Sequence, residues 1–188
     1  MGGPGGANRV SGNAISEALV FGERAGTFAA ARAGGADPGW SPTYGDRARA
    51  EMADLRARKG RGPAPGVVQA ELQDVMWEHA GPFRSREGLD QARSAIHRLR
   101  GGLPELAIAG GDVFNLDVQD WYELQAMLRS AEAVVASALE RPESRGAHQR
   151  LDAPQSSAAF EKNQLVSLQD GTLTTRWGVV VRSGARAT

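Results

Sequence analysis

Apolar side chains recur at intervals of three and four residues in three stretches of the second half of the chain, a spacing typical of amphipathic helices. The stretches carry Val68, Leu72, Val75, Met76 and His79, then Leu89, Ala92, Ile96 and Leu99, and then Trp121, Leu124, Leu128, Ala131, Val135, Ala138 and Leu139. Glycine or proline follows each stretch and marks its end, and Ser85 is placed to cap the second. Because no stretch can bury its stripe alone, residues 66–150 are predicted to form an antiparallel three-helix bundle.

An earlier helix is predicted over residues 14–33, with Asn13 as its N-cap and Glu17 in its first turn. One of its faces is a stripe of mostly small residues, which lets another backbone approach closely: Ile15, Ala18, Leu19, Gly22, Ala25, Gly26, Ala29 and Ala33. The segment that follows, residues 36–65, is predicted to be a linker. It contains a solvated helix over residues 46–59, with Met52 and Leu55 facing inward.

The tail, residues 151–188, changes to a strand pattern. Residues 164–168 and 172–177, extending towards 181, flank an Asp170-Gly171 pair, which is a signal for a β-hairpin. An isolated hairpin is marginally stable, so we expect this one to lie on another surface.

Composition excludes several classes of protein. The chain of 188 residues is 41% hydrophobic and 23% charged, and its 22 basic residues balance its 22 acidic ones. This balance argues against disorder and against a nucleic-acid partner held by bulk charge. The chain has no cysteine, so any iron–sulfur cluster that works with it must be held by a partner. It also has no apolar run of the roughly 18–20 residues that a membrane span needs, and a cytoplasmic location is expected.

Generic catalytic motifs are missing: the sequence has no GxGxxG, GxxxxGK[ST], GxSxG or HExxH. The three histidines, His79, His97 and His148, are far apart, so a metal site is not expected. His79 is predicted to pack in the core and His97 to face solvent, while Trp77 and Trp121 are predicted to pack in a core or an interface.

The segment over residues 5–22 is the most informative. Its glycine loop brings Arg9 beside a helix N-terminus, and together the guanidinium and the free backbone N–H groups would form an anion site. The alternative is an ordinary capped helix, and composition alone favours it.

Three blocks of sequence resemble the flavoprotein subunits of succinate dehydrogenase and fumarate reductase, a family that shares them with L-aspartate oxidase. The first is GANRVSGNAISEALVFGERAG at residues 6–26. The second is ELQDVMWEHAG at residues 71–81, continued by Arg84, by EGL at 87–89 and by DWYEL at 120–124. The third is ESRGAH at residues 143–148, with Arg150, Asp152 and Pro154. The blocks occur in the family's order and span most of the chain.

The resemblance implies roles for individual residues. It implies that Arg9 binds a substrate carboxylate, and that Asn13, Ala14 and Ile15 bring backbone amides to the pyrimidine edge of FAD. Serine is usual at the Ala14 position, which a backbone contact tolerates, and histidine is usual at the Gly5 position, where a substrate contact is therefore in doubt. It assigns Arg145, His148 and Arg150 to a structural or interface motif.

The resemblance also implies that parts of the family's protein precede the first block: the dinucleotide-binding unit and the capping domain with its proton donor. The expected fold is mainly α, with the C-terminal helix of an FAD-binding domain (residues 1–35), the linker, the bundle and the hairpin tail. The expected function is that of a C-terminal fragment of an FAD-dependent succinate/fumarate oxidoreductase, inactive alone. Its partners would be a dicarboxylate substrate, the missing N-terminal region and an iron–sulfur subunit, which would hold it peripherally at the inner face of the plasma membrane.

Two alternatives stay open: a fragment of an L-aspartate oxidase-type flavoenzyme, or a helical interaction module without catalysis. In each case the helix over residues 14–33 lacks the sheet on which the family packs it. We therefore expect its apolar stripe to be exposed and to cause aggregation or dependence on a partner.

Overall fold

The computed structural model describes residues 12–34, 39, 41–57, 61–111 and 113–180, apart from the side chain of Asn13. The chain divides into two units, Met1–Ala53 and Asp54–Thr188. The domain limits predicted at residues 35, 65 and 150 stay predictions.

Helix α1, Asn13–Ala33, begins one residue earlier than predicted. Gly12 is the N-cap in place of Asn13, and its φ of 92° is a left-handed conformation that glycine adopts without strain. Because of this shift, Glu17 lies beyond the first turn, which holds no acidic residue. The large apolar side chains of α1 are exposed: Ile15, Leu19, Val20, Phe21 and Phe28.

Helix α2, Asp46–Ala57, confirms the solvated helix predicted in the linker. Leu55 is fully buried in the core of the second unit, as predicted, whereas Met52 is 39% exposed. The prediction for Met52 was wrong because it lies three residues, nearly a full turn, before the only position of this helix that reaches the core.

Helices α3 (Pro65–Ala80), α4 (Arg86–Gly101) and α5 (Leu116–Glu140) pack on one another and form the core. The residues predicted to face inward are buried or half-buried in it, and Leu106 from the α4–α5 connection joins them. Side chains cap two of the helices: the Ser85 Oγ accepts from Gly88 N at 3.1 Å, and the Asn115 Oδ1 accepts from Val118 N at 3.3 Å.

The tryptophans behave differently. Trp121 is 5% exposed and belongs to the core, whereas Trp77 is 82% exposed, which excludes core packing for Trp77 and leaves packing at an interface as a prediction. The reason is its phase on the helix, because Trp77 lies about 140° around the axis from Leu72 and about 180° from Val68. His79 is half-buried at the edge of α3, and His97 is exposed as predicted.

Strands β3 (Lys162–Gln169) and β4 (Thr172–Val179) form the predicted hairpin. Asp170 and Gly171 connect them with φ of 48° and 79°, the two positive values of a type I′ turn. The hairpin lies against α5, where the Arg129 guanidinium donates to the Gly171 carbonyl at 3.3 Å and the Gln164 amide donates to the Glu140 carboxylate at 3.2 Å.

A second, very short sheet was not predicted. Strand β1, Phe83–Arg84, pairs in parallel with β2, Gln149–Arg150. This pairing fastens the α3–α4 connection to the segment that follows α5. In the described part of the chain, no helix is both long enough and apolar enough to cross a bilayer.

Candidate functional site

The segment after α5 concentrates buried charge, which is rare in proteins unless the charges are paired. Within residues 143–152, the Glu143 side chain is fully buried and Arg150 is 1% exposed. The parallel β1–β2 pairing brings Arg84 to the same place. We call Arg84, Arg141, Glu143, Arg145, His148, Arg150 and Asp152 the charge network.

Glu143 is the anionic centre of the charge network. Its carboxylate accepts from the Arg141 guanidinium at 2.6 Å, from Arg145 at 3.0 and 3.1 Å, and from the Ser157 backbone N–H at 2.8 Å. Burial by itself would raise the pKa of Glu143, but the hydrogen bonds from Arg145, Ser157 and Arg141 outweigh it and lower the pKa to about 2. Glu143 therefore stays ionised and joins the end of α5 to the start of the tail.

Arg150 forms the second pair. Its guanidinium donates to both Asp152 oxygens, at 2.8 and 2.7 Å, which is a bidentate arrangement. Its third contact, 2.8 Å to the carbonyl of Ala138, caps the C-terminal turn of α5, where the helix dipole favours a cation. The hydrogen bonds from Arg150 are the main reason that the pKa of Asp152 is lowered to about 2.

His148 sits between these pairs with both ring nitrogens engaged. Its Nε2 lies 2.9 Å from the Arg141 carbonyl, which can only accept, so Nε2 carries the proton. Its Nδ1 then accepts from the Arg84 guanidinium at 3.0 Å. Burial is the largest cause that lowers the pKa of His148, and the nearby Arg84, Arg150 and Arg141 lower it further. The imidazole is therefore a neutral connector with one fixed tautomer.

Arg141 extends the charge network to the hairpin. Its guanidinium donates to the carbonyls of Phe160 at 2.7 Å and Lys162 at 2.8 Å, and it lies over the Trp177 ring at 4.8 Å. The Phe160 and Trp177 rings are 5.5 Å apart, so both aromatic residues lie close to this arginine. One arginine thus fixes the base of the hairpin to the end of α5, and the arrangement is suited to holding elements together.

The structure brings together the three residues predicted for the structural motif. Arg145 and His148 exchange backbone hydrogen bonds at 2.8 and 3.0 Å, and the Ser144 Oγ accepts from Arg150 N at 2.8 Å. Their role at an interface stays a prediction. Sequence reasoning gave no role to Arg84, Arg141, Glu143 and Asp152, although the alternation of acidic and basic residues around residue 143 was an available signal.

The predicted flavin and substrate residues are at the other end of the chain. Arg9 lies outside the described residues. Asn13 begins α1, followed by Ala14 and Ile15, and the Ile15 N–H donates to the Gly12 carbonyl in a long bond of 3.3 Å. Over the described ranges, no three metal-ligating side chains come together.

Comparison with known proteins identifies the class. Residues 69–181 match the protein-family model described as "Fumarate reductase flavoprotein C-term". The chain therefore belongs to the fumarate reductase and succinate dehydrogenase flavoprotein family, and corresponds to its C-terminal portion.

Two curated relatives and one solved structure support this assignment. The fumarate reductase flavoprotein subunit of Mycobacterium tuberculosis is 37% identical over 92% of this chain and 33% of its own length. The 8-methylmenaquinol:fumarate reductase flavoprotein subunit of Wolinella succinogenes is 31% identical over 94% of this chain and 30% of its own. A chain of the E. coli quinol fumarate reductase is 29% identical with a TM-score of 0.82, covering 96% of this chain and 32% of that one.

This chain thus spans about a third of the length of these relatives. Both curated relatives are named as flavoprotein subunits of fumarate reductases. Their names describe oxidoreductases that work as parts of larger assemblies.

Proposed function

We propose that this chain supplies the C-terminal part of an FAD-dependent oxidoreductase that interconverts succinate and fumarate, and that it needs an N-terminal flavoprotein region for activity. The observation that carries the proposal is the fold match to quinol fumarate reductase over 96% of the chain. A match of that extent supports the further proposal that α1 belongs to the flavin-binding part and the bundle to the helical domain.

The start of α1 suits a flavin. The first N–H groups of a helix have no intrahelical acceptor, and the helix dipole makes this end positive. No acidic side chain in the first turn of α1 offsets this charge. The Ala14 and Ile15 N–H groups at this end are proposed to face an electron-rich flavin edge, and the long 3.3 Å bond from Ile15 N to the Gly12 carbonyl uses that donor only weakly. FAD would supply hydride transfer, and this end of α1 would orient the ring and favour negative charge on it.

Arg9, four residues before Asn13, is proposed to bind one carboxylate of the dicarboxylate. A guanidinium presents a planar fork of donors that matches a carboxylate in two hydrogen bonds, which fixes position as well as charge. Such a clamp would hold the C4 substrate in register with the flavin. The proton donor is proposed to come from the N-terminal region.

The charge network is proposed to have the supporting role. Its buried pairs hold the bundle, the tail and the hairpin in one arrangement, which would present a fixed surface to the flavin domain and to an iron–sulfur subunit. Association through such a subunit would place the protein peripherally at the cytoplasmic face of a membrane.

Reconstitution tests the proposal. The full chain is coexpressed with the N-terminal two-thirds of the M. tuberculosis relative, and the purified complex is assayed for bound FAD and for fumarate-dependent oxidation of reduced benzyl viologen. We expect both. Arg9→Ala should retain FAD and lower turnover at least about 100-fold, since carboxylate alignment is lost. Arg24→Ala, which removes the same charge from α1, is the matched control and should leave turnover unchanged.

The same complex separates the alternatives. Oxidation of L-aspartate with no activity on succinate or fumarate would assign the chain to an aspartate oxidase-type enzyme. A stable complex that neither retains FAD nor turns over any of these substrates would leave the interaction module, and the proposal would be rejected.

A further inference from the structure

A cleft of about 710 Å³ opens between α4, α5 and the turn of the hairpin, away from the charge network. Ile96 and Val135, which are 2% and 1% exposed, lie at its base, and Leu173 lines it from the hairpin side. The volume falls within the roughly 300–1,000 Å³ typical of small-molecule sites, which combine apolar walls with a few polar groups. Its base therefore suits an apolar ligand body.

The rim of the cleft is cationic. Arg93, His97 and Arg100 line it at intervals of four and three residues along α4, so they follow one face of that helix. Side chains four residues apart on a helix are neighbours, about 5–6 Å between their Cβ atoms, and this distance lets one anionic group contact both Arg93 and His97. In the part of the chain that the structure describes, the His97 ring makes no hydrogen bond or ion pair.

Acidic residues neutralise this rim only in part. The Glu132 carboxylate is shared by Arg100, at 2.9 and 3.2 Å, and Arg129, at 3.2 Å. The Asp90 carboxylate is likewise shared by Arg93, at 2.8 Å, and Arg86, at 3.9 Å. Among the residues that line the cleft, Arg93 and Arg100 are cationic and Glu132 is the anionic one, so the lining keeps a net positive charge.

We infer that this cleft binds a small amphiphilic anion, with its charged head between Arg93 and His97 and its apolar body over Ile96 and Val135. A medium-chain carboxylate is the simplest molecule with this chemistry. The inference is independent of the flavin site and of the proposed reaction, since none of the residues that carry it belongs to either.

Octanoate is the probe, and it is titrated into the ¹⁵N-labelled full chain while amide shifts are followed by NMR. We expect saturable shifts at Ala136, Gly171 and Thr172, which line the cleft. Octan-1-ol, which has the body without the charge, and acetate, which has the head without the body, should each bind at least about tenfold more weakly. Octanoate should also protect His97 from diethyl pyrocarbonate, as read by mass spectrometry of its peptide.

Two arginines of α4 give a matched pair of variants. Arg93→Gln and Arg86→Gln remove the same charge from the same helix and the same kind of contact with Asp90, but only Arg93 lines the cleft. Arg93→Gln should weaken octanoate binding about tenfold, and Arg86→Gln less than about twofold. Ala136→Leu keeps every charge and fills the cleft, and it should also weaken binding.

Several results would overturn the inference. These are an absence of saturation by octanoate, an equal effect of the two arginine variants, binding of succinate or acetate as tight as that of octanoate, or protection of His97 by octan-1-ol at the same concentration. If Ala136→Leu loses its helical circular dichroism, the arginine pair decides alone, because both of those positions are exposed on the surface of α4.

Discussion

The Glu143 carboxylate shows how one buried charge can organise a segment that lacks regular secondary structure. Two guanidiniums and one backbone N–H donate to it, so its desolvation is offset and each donor has its position fixed. If either side of such a pair is removed, the other is left buried without a partner, which costs more than the pair contributes in net terms.

Glu143→Gln tests this role. We expect the free energy of unfolding, measured by urea denaturation, to fall by about 3 kcal/mol, because two guanidiniums lose their counter-charge. Glu71→Gln is the control. It breaks a 2.7 Å ion pair with Arg98 in which both side chains are well exposed, and it should cost less than about 1 kcal/mol. Equal effects of the two variants would contradict a structural role for the buried charge.

The lowered pKa values of two carboxyl groups predict that the free energy of unfolding depends on pH. Glu143 and Asp152 have pKa values of about 2 in the folded protein, below their ordinary values of 4.5 and 3.8. At a pH between the folded and the unfolded pKa values, the unfolded state binds more protons than the folded state. The stabilisation of the fold by these two carboxylates is therefore complete above about pH 4.5 and is lost as the pH falls towards 2. Urea midpoints measured from pH 6 to pH 2.5 should show this loss. The loss should be smaller in Glu143→Gln and Asp152→Asn, and an unchanged slope in both variants would refute the assignment.

The neutral state of His148 gives a spectroscopic test. With Nε2 donating to a carbonyl and Nδ1 accepting from Arg84, the imidazole ¹⁵N shifts should report the Nε2–H tautomer at pH 7. Burial and the neighbouring guanidiniums lower the pKa of His148, so this signal should persist below pH 6.5, the ordinary pKa of histidine. In Arg84→Gln the cationic contribution is removed and the pKa should rise. Observation of the Nδ1–H tautomer would mean that Arg84 does not hold the ring.

Among the elements, the turn of the hairpin depends most directly on a single residue. Gly171 has a φ of 79°, and an alanine there would be strained even though open space surrounds the position. Gly171→Ala should lower stability by about 1–2 kcal/mol and reduce hydrogen-exchange protection in β3 and β4. Gly101 is the matched control because it ends α4 with open space around it and no positive φ. Gly101→Ala should be neutral or stabilising by up to about 1 kcal/mol.

The helices and the hairpin could be predicted because their signals are local. The stripe of α4 and its Ser85 cap lie within one stretch of sequence, and the same is true of the Asp170-Gly171 turn. The pairing of β1 with β2 could not be read in this way, because it joins residues 83–84 to residues 149–150 through two-residue strands that carry no periodicity.

The same distinction between local and long-range signals applies to the candidate site. The resemblance indicated Arg145, His148 and Arg150, but the partners that fix them are set by the tertiary fold. Arg84 reaches His148 only because the β1–β2 pairing brings the two together, and Arg150 meets the Ala138 carbonyl only because the chain turns back after α5. For Met52 and Trp77, hydrophobicity and the helical location were not enough. Trp77 is out of phase with Leu72 on α3, and Met52 lies about one turn before the position of α2 that reaches the core.

At the scale of the whole molecule, the two units differ in whether their large apolar side chains are buried. The second unit buries a continuous core from α3, α4 and α5. Helix α1 instead carries apolar residues on more than one side: Leu19 and Phe28 are nine residues apart, about half a turn around the axis, and are 68% and 67% exposed. A helix that is apolar on several sides is typical of a buried element. This supports the proposal that α1 is packed against other elements in the complete flavoprotein.

This exposure gives the last prediction. In the isolated chain we expect α1 to drive self-association, because an exposed apolar surface of this kind gains free energy by contact with another copy or with a partner. Sedimentation velocity should show a weight-average mass that rises with protein concentration. Leu19→Gln with Phe28→Gln keeps good helix formers and should shift the protein towards the monomer. The control, Val67→Gln with Val113→Gln, removes two similarly exposed apolar side chains from the second unit, and should leave the association as it was. If association persists in the α1 variant and disappears in the Val67→Gln with Val113→Gln variant, the second unit and not α1 carries the surface that self-associates. A wild-type chain that is monomeric at every concentration would show that α1 needs no further partner.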